Sequence, residues 1–139
     1  MPGNVFLDTN ILVYAIETDG PNTMKSSTAV NLSKREDVSI SAQVLGEFYR
    51  AVTSPRREVP LTHNEALVWV QFWKRYDVWP ITIPHVDLAL EVAKRFQIGY
   101  FDALIVAAAR LADCGIIYSE DLNDGQDYGG VRVENPFRN

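Results

Sequence analysis

The sequence predicts an α/β protein: a mostly parallel central sheet with helices on both sides, forming a three-layer sandwich. Short apolar segments that resemble strands alternate along the chain with longer segments of helical periodicity. The strand-like segments are apolar on both faces, which is typical of strands covered by helices on each side. Such sheets bind ligands beyond the carboxyl ends of their strands, so a functional site is expected there.

Five runs of apolar residues, each bounded by polar residues, are predicted as strands. No Gly- or Ser-rich linker, repeat or low-complexity tract interrupts the chain, so a single domain spanning residues 1–139 is expected. In chain order, the predicted strands are residues 5–7, 38–40, 78–83, 116–118 and 131–133.

Five segments between these strands have helical periodicity. Residues 62–76 have the clearest helix start, because Thr62 and Glu65 stand in the spacing of a capping box ahead of an apolar run. Residues 101–114 include a continuous apolar run, which indicates a helix buried on all sides, with Gly115 expected at its C-cap. The other predicted helices are roughly residues 22–34, 42–52 and 86–96.

Composition limits the class of protein. One cysteine excludes an internal disulfide framework and favours a reducing, intracellular setting. The sequence contains no signal-peptide pattern and no apolar run long enough to span a bilayer, so a soluble cytoplasmic protein without membrane contact is expected. The net charge of -5 argues against nucleic acid being held by a general positive field.

Four carboxylates stand where an ordinary fold does not favour them. Asp8 directly follows the first predicted strand, and Asp121 lies just beyond the fourth, so both are expected at the carboxyl edge of the sheet. Glu47 interrupts an apolar helix face. Asp102 opens the helix predicted to be buried, which places it in or near the core.

Each acid also has an ordinary structural explanation. Asp8 could be the N-cap of a helix beginning near Asn10, and Asp102 could complement a helix dipole from the first turn. Glu47 could pair with an arginine, and Asp121 could serve a turn.

Together, however, the four acids predict a metal site. Carboxylates gathered about 5 Å apart repel one another by roughly 3 kcal/mol per pair at an effective dielectric of about 20, so a cation is required. Oxygen ligands without Cys or His favour Mg²⁺ or Mn²⁺ over zinc. Without the four acids, fourteen acidic residues face thirteen basic ones, so most of the excess negative charge is assigned to one pocket.

The acids occur in four motifs: Leu7-Asp8-Thr9-Asn10, Gly46-Glu47-Phe48, Tyr100-Phe101-Asp102-Ala103-Leu104-Ile105 and Ser119-Glu120-Asp121. Their order and context resemble the PIN-domain ribonucleases and, within that family, the VapC-type toxins of toxin-antitoxin pairs. The resemblance covers essentially the whole chain. It implies a PIN-like fold, a homodimer, and a metal-dependent endoribonuclease held inactive by a small cognate antitoxin protein.

The resemblance also implies roles for individual residues. Asp121 is preferred as the fourth acid because it stands two residues after Ser119, although Glu120 and Asp124 flank it and leave that choice open. The implied catalytic residues and ligands for one or two Mg²⁺ or Mn²⁺ ions are Asp8, Glu47, Asp102 and Asp121, steadied through hydrogen bonds by Thr9 or Asn10 and by Ser119.

The expected reaction is hydrolysis of an RNA phosphodiester by metal-activated water, with a carboxylate taking the proton. The resemblance implies products with a 5′-phosphate and a 3′-hydroxyl. A route through the RNA 2′-hydroxyl would use two histidines, for which the only candidates are His63, in the first turn of the helix that Thr62 opens, and His85, beside Pro84, so metal hydrolysis is favoured. Candidate phosphate contacts are Arg50, Arg56 and Arg57.

Three other functions remain open on the sequence alone. A PIN nuclease could process RNA as a housekeeping enzyme, and a PIN fold could persist as a silent interaction module. A phosphotransfer receiver domain is also a doubly wound sheet with an acidic magnesium pocket. A receiver would end its third strand with Asp and its fifth with Lys, whereas here the third predicted strand runs into Thr82-Ile83-Pro84 and no Lys follows Phe96.

Overall fold

The computed structural model describes residues 4–17 and 23–138. Its strands and helices alternate in the predicted order, with one helix, over residues 9–15, in addition to the five predicted. The elements are β1 (Val5–Leu7), α1 (Thr9–Ala15), α2 (Thr23–Ser33), β2 (Val38–Ser41), α3 (Ala42–Val52), α4 (His63–Trp73), β3 (Asp77–Trp79), α5 (Ile83–Phe96), α6 (Tyr100–Leu111), β4 (Ile116–Tyr118) and β5 (Arg132–Glu134).

The sheet confirms the predicted α/β class. Its five strands pair in parallel in the order β3-β2-β1-β4-β5. The chain runs outward from β1 to β3 and then returns across the sheet to β4. Right-handed crossovers place α1 to α4 on one face and α5 and α6 on the other. The direction reverses between β1 and β4, so the crevice for a ligand opens at the carboxyl ends of these two strands.

The core is centred on β1 and α6. Every residue of β1 is at most 1% exposed. Residues 103–109 of α6 are at most 4% exposed, because this helix packs against α5 on one side and against β2 and β4 on another. The prediction of a helix buried on all sides is therefore confirmed for that segment. Among the described residues, no helix combines the length and apolarity needed to cross a bilayer.

Several element boundaries differ from the sequence-based expectation. The strand predicted over residues 78–83 is too long, since β3 ends at Trp79 and α5 begins at Ile83. A proline in the first turn of α5 fits this start, because a first-turn N–H has no helical partner to lose. The expected start of α2 at residue 22 lies outside the described residues. The capping box of Thr62 and Glu65 is present at the start of α4.

The expected glycine C-cap of α6 is wrong. The helix ends at Leu111, and Asp113 adopts the left-handed conformation with φ of 59°. This turn allows the Cys114 amide to donate to the Ala109 carbonyl at 3.0 Å. Aspartate tolerates the left-handed region better than most residues, so the chain reverses two residues before Gly115.

Candidate active site

The four predicted acids are contributed by four separate segments around the crevice. Asp8 follows β1, Asp121 follows β4, Glu47 lies in the second turn of α3, and Asp102 lies in the first turn of α6. The negative charges of Asp121 and Glu47 act on the carboxyls of both Asp8 and Asp102. The fold therefore brings the four side chains into one electrostatic cluster.

Asp8 is the buried member of this cluster, with 5% of its surface exposed. Its Oδ1 accepts a hydrogen bond from the Thr9 amide at 2.7 Å, which caps α1, and its Oδ2 accepts one from the Ser119 hydroxyl at 2.7 Å. Burial raises the pKa of Asp8 to about 6, and the charges of Asp121 and Glu47 add to that rise. The two hydrogen bonds lower the pKa and so offset part of the rise caused by burial. The residue thus both caps a helix and faces the crevice.

Glu47 is half-buried and held at both oxygens. Its Oε1 accepts a hydrogen bond from the Thr9 hydroxyl at 2.8 Å, and its Oε2 accepts one from Gln43 Nε2 at 3.0 Å. Within residues 4–17 and 23–138, no arginine or lysine forms an ion pair with it. Its charge is therefore not balanced by an ion pair with a basic side chain of the described residues.

Asp102 and Asp121 are both exposed. The expectation that Asp102 lies in or near the core is wrong, because α6 becomes buried only from the next residue onward. Its pKa is nevertheless raised, first by partial desolvation and then by the charges of Asp121 and Glu47. Asp121 is held by Asn10, whose Nδ2 donates to Oδ2 at 3.1 Å, while the Asp121 amide donates to Ser119 Oγ at 3.1 Å.

Two clefts adjoin the acids, and Asp121 lines both. One, of about 420 Å³, lies on the side of Asp102. The other, of about 590 Å³, follows α1 and α3 past Glu47 to Arg50 and Ser54. Arg50 is exposed and forms no ion pair among the described residues.

The turn after α3 carries the other two arginines that the sequence singled out. The Ser54 side chain and carbonyl accept hydrogen bonds from the amides of Arg56, at 3.2 Å, and Arg57, at 3.1 Å. Because Ser54 lines the larger cleft, this turn lies at one end of it. Arg56 is exposed and Arg57 is half-buried.

The family model of the PIN domain matches residues 5–123. The chain belongs to the PIN-domain family. The resemblance to this family indicated by the sequence is thereby confirmed.

Solved structures share the fold of this PIN domain. The VapC20 toxin of Mycobacterium tuberculosis, described as cleaving the sarcin-ricin loop, is 22% identical, with a TM-score of 0.69 over 94% of this chain and 99% of the toxin chain. A toxin-antitoxin complex from Klebsiella pneumoniae is 14% identical, with a TM-score of 0.69 over 96% of this chain and 98% of the other. VapBC2 from Rickettsia felis, bound to a promoter DNA fragment, is 20% identical, with a TM-score of 0.65 over 94% of this chain and 96% of the other. The comparison with curated proteins gave no match.

The structure distinguishes Asp121 from the two acids beside it in the sequence. Glu120 forms an ion pair with Lys25, and Asp124 forms one with Arg138 at 3.3 Å. Burial alone would raise the pKa of Glu120, but the hydrogen bond and charge of Lys25 lower it below its usual range. Both neighbouring acids are therefore matched with a basic side chain, whereas Asp121 is held by an amide.

The donor set of this PIN domain fits Mg²⁺ or Mn²⁺. All four candidate side chains offer hard oxygen ligands, and no basic residue of the described chain contributes to the pKa shift of Asp8 or Asp102. Among the described residues, no three acidic, His or Cys side chains already form a group that could hold an ion. Mg²⁺ normally keeps several water ligands and uses only one or two carboxylates, so the arrangement suits an ion bound largely through water.

The two histidines lie away from the acids. His63 Nδ1 is 3.0 Å from the Tyr49 hydroxyl, and the buried His85 accepts a hydrogen bond from the Thr82 amide at 3.2 Å. Neither histidine lines the clefts beside the acids. The geometry thus offers no histidine pair for a reaction through the 2′-hydroxyl.

Sequence reasoning missed two residues that support the site. Gln43 binds Glu47, and its position four residues earlier on the same helix was an available signal. Lys25 forms an ion pair with Glu120 from a helix that is distant in sequence, and no pattern in the neighbouring sequence predicts that contact.

The pKa of Asp8 predicts how stability depends on pH. In the metal-free protein we expect the contribution of Asp8 to the free energy of unfolding to fall as the pH rises from 3.8 to about 6, because the folded state binds this proton more tightly than the unfolded state. The contribution is fully present below pH 3.8 and is on the order of 3 kcal/mol. Urea unfolding in EDTA across this range measures it.

The Asp8→Asn variant has no carboxyl at this position, so its unfolding free energy should lack that component of the pH dependence. Asp87→Asn, at an exposed position of α5, is the matched control and should behave as wild type. Parallel pH profiles for Asp8→Asn and wild type would contradict the assignment.

Proposed function

We propose that this PIN domain is a Mg²⁺- or Mn²⁺-dependent endoribonuclease. The observation that carries the proposal is the convergence of four carboxylates at the switch point of the sheet, with Asp8 buried and no basic side chain among the described residues paired with any of the four. Membership of the PIN-domain family supports nuclease activity. The description of the M. tuberculosis neighbour as a toxin that cleaves the sarcin-ricin loop supports RNA as the substrate.

In this proposal Asp8, Glu47, Asp102 and Asp121 hold one or two ions. A bound ion supplies a coordinated water of lowered pKa and stabilises negative charge on the phosphate. Thr9 and Ser119 orient the acids through hydrogen bonds at 2.8 and 2.7 Å, and Asn10 does so for Asp121 at 3.1 Å.

The carboxylates also serve the proton transfer. One of them accepts the proton of the attacking water, which requires that it be ionised near neutral pH. In the proposed reaction water attacks the phosphorus and the P–O3′ bond breaks, so the products carry a 5′-phosphate and a 3′-hydroxyl, as the resemblance to PIN-domain ribonucleases implies.

We also propose that the protein is the toxin of a toxin-antitoxin pair, a cytoplasmic homodimer held inactive by a small antitoxin. The support is the shared fold with solved toxin-antitoxin complexes from K. pneumoniae and R. felis. Housekeeping RNA processing is the alternative function, and the growth experiment below distinguishes it from the toxin role.

The nuclease proposal predicts metal-dependent cleavage. Purified protein, freed of any partner and incubated with structured RNA and Mn²⁺, should release fragments with 5′-phosphates, and EDTA should abolish the reaction. Asp8→Asn should lower the rate about 100-fold or more because a ligand and an ionisable group are lost together. Asp87→Asn serves as the control. Cleavage that persists in EDTA or in Asp8→Asn would refute the metal mechanism.

Arg50 is expected to contact an RNA phosphate. Arg50→Ala should weaken binding of a single-stranded RNA and reduce the slope of log affinity against log salt by about 0.7, the value for one lost phosphate contact. Fluorescence anisotropy with the catalytically inactive Asp8→Asn background measures both quantities. Lys94→Ala, at an exposed position of α5 away from the clefts, is the control. An unchanged salt slope would remove Arg50 from the interface.

The toxin proposal predicts growth arrest in cells. Expression of the chain alone should stop growth of a bacterial host, whereas Asp8→Asn should not. Co-expression of a short reading frame adjoining the gene should restore growth, and its product should copurify with this chain. Normal growth despite nuclease activity of the purified protein would favour a housekeeping role.

A further inference from the structure

A glutamine beside the acids connects two of the elements that carry them. Gln43 lies in the first turn of α3, two residues after the Ser41 N-cap whose hydroxyl accepts from the Val44 amide. It precedes Glu47 by one helical turn, so both side chains lie on the same face of α3. That face is directed toward the start of α6.

Both contacts of the Gln43 amide involve its nitrogen. Nε2 donates to Glu47 Oε2 at 3.0 Å and to the Phe101 carbonyl at 3.1 Å. Since both partners are acceptors only, the amide can have only this orientation. One side chain therefore joins the Glu47 carboxylate to the backbone of the residue immediately before Asp102.

This link is significant because Asp102 lacks support of its own. No hydrogen bond from another described residue reaches its carboxylate, in contrast to Asp8, Glu47 and Asp121. Its position therefore depends on where the first turn of α6 lies. The hydrogen bond from Gln43 to the Phe101 carbonyl fixes that turn relative to α3.

The other end of the Gln43 amide shows that this link is not optimal for stability. Its Oε1 is buried and has no hydrogen-bond partner within the described chain. An unpaired buried acceptor is destabilising, so it offsets part of what the two donated bonds contribute. An apolar side chain of similar shape would remove the donor from Glu47 and from the Phe101 carbonyl, but Glu47 is half-buried and Phe101 is exposed, so water can hydrate both acceptors and little stability should be lost.

We propose that Gln43 is a positioning residue that sets the spacing between Glu47 and Asp102 for a divalent cation. This inference rests on the proposed metal-dependent function. The hydrogen bond fixes Glu47 Oε2 from α3, and the contact with Phe101 fixes the helix turn that carries Asp102. Residues that orient metal ligands in this way commonly change metal affinity 10- to 100-fold when replaced.

The test is calorimetric titration of Mn²⁺ into the full chain after EDTA treatment and dialysis. Gln43→Met keeps the length of the side chain and removes both donors, so it should raise the Kd for Mn²⁺ about 10-fold. Its melting temperature without metal should stay close to that of wild type. Gln71→Met makes the same chemical change at an exposed site on α4 and should leave both quantities unchanged.

A second variant covers the case in which Gln43→Met does not fold. Gln43→Asn keeps the amide but is one methylene shorter, so it cannot reach Glu47 and Phe101 together and should also weaken Mn²⁺ binding. A Kd within twofold of wild type in a folded variant would overturn the positioning role alone. Failure of both variants to fold would show a structural role instead. Absence of Mn²⁺ binding by wild type would overturn the proposed function itself.

Discussion

Four like charges held together without a basic partner are the constraint on which the rest of this structure depends. Repulsion among carboxylates in a crevice favours a looser arrangement, so each acid must be held in place by the surrounding fold. The destabilisation of the ionised carboxylate is clearest at Asp8, because burial and the charges of Asp121 and Glu47 raise its pKa to about 6. The hydrogen bonds from Thr9 and Ser119 are the compensation available in the absence of a cation.

The topology of the sheet is what makes the cluster feasible. A parallel sheet whose strand order reverses between β1 and β4 leaves a gap where the connections leave in opposite directions. Asp8 and Asp121 follow the two strands at this gap, while α3 and α6 bring Glu47 and Asp102 from opposite faces of the sheet. Residues more than a hundred positions apart, such as Ser119 and Asp8, become hydrogen-bonded neighbours for this reason.

Much of this arrangement could be predicted from the sequence, since strand ends and helix starts are local signals. The apolar run after Asp102 predicted the buried helix, but it also suggested burial for Asp102, which is exposed. The error arises because periodicity reports which faces of a helix are apolar and does not report where the helix extends beyond the sheet. The reversal after α6 was misplaced for a related reason, since Asp113 adopts a conformation usually assigned to glycine. Contacts between distant elements, such as Lys25 with Glu120, leave no local pattern at all.

Consecutive acids after β4 bind different partners: Glu120 pairs with Lys25, and Asp121 is held by Asn10. Asn10 also accepts the Glu120 amide through Oδ1 at 3.2 Å, so a single side chain holds both positions. Which acid faces Lys25 and which faces Asn10 therefore depends on the number of residues between β4 and each acid. Deletion of the single residue between Ser119 and Asp121 would bring Asp121 to the position that faces Lys25 and Leu122 to the position that faces Asn10, so this short connection should tolerate substitution better than a change in length.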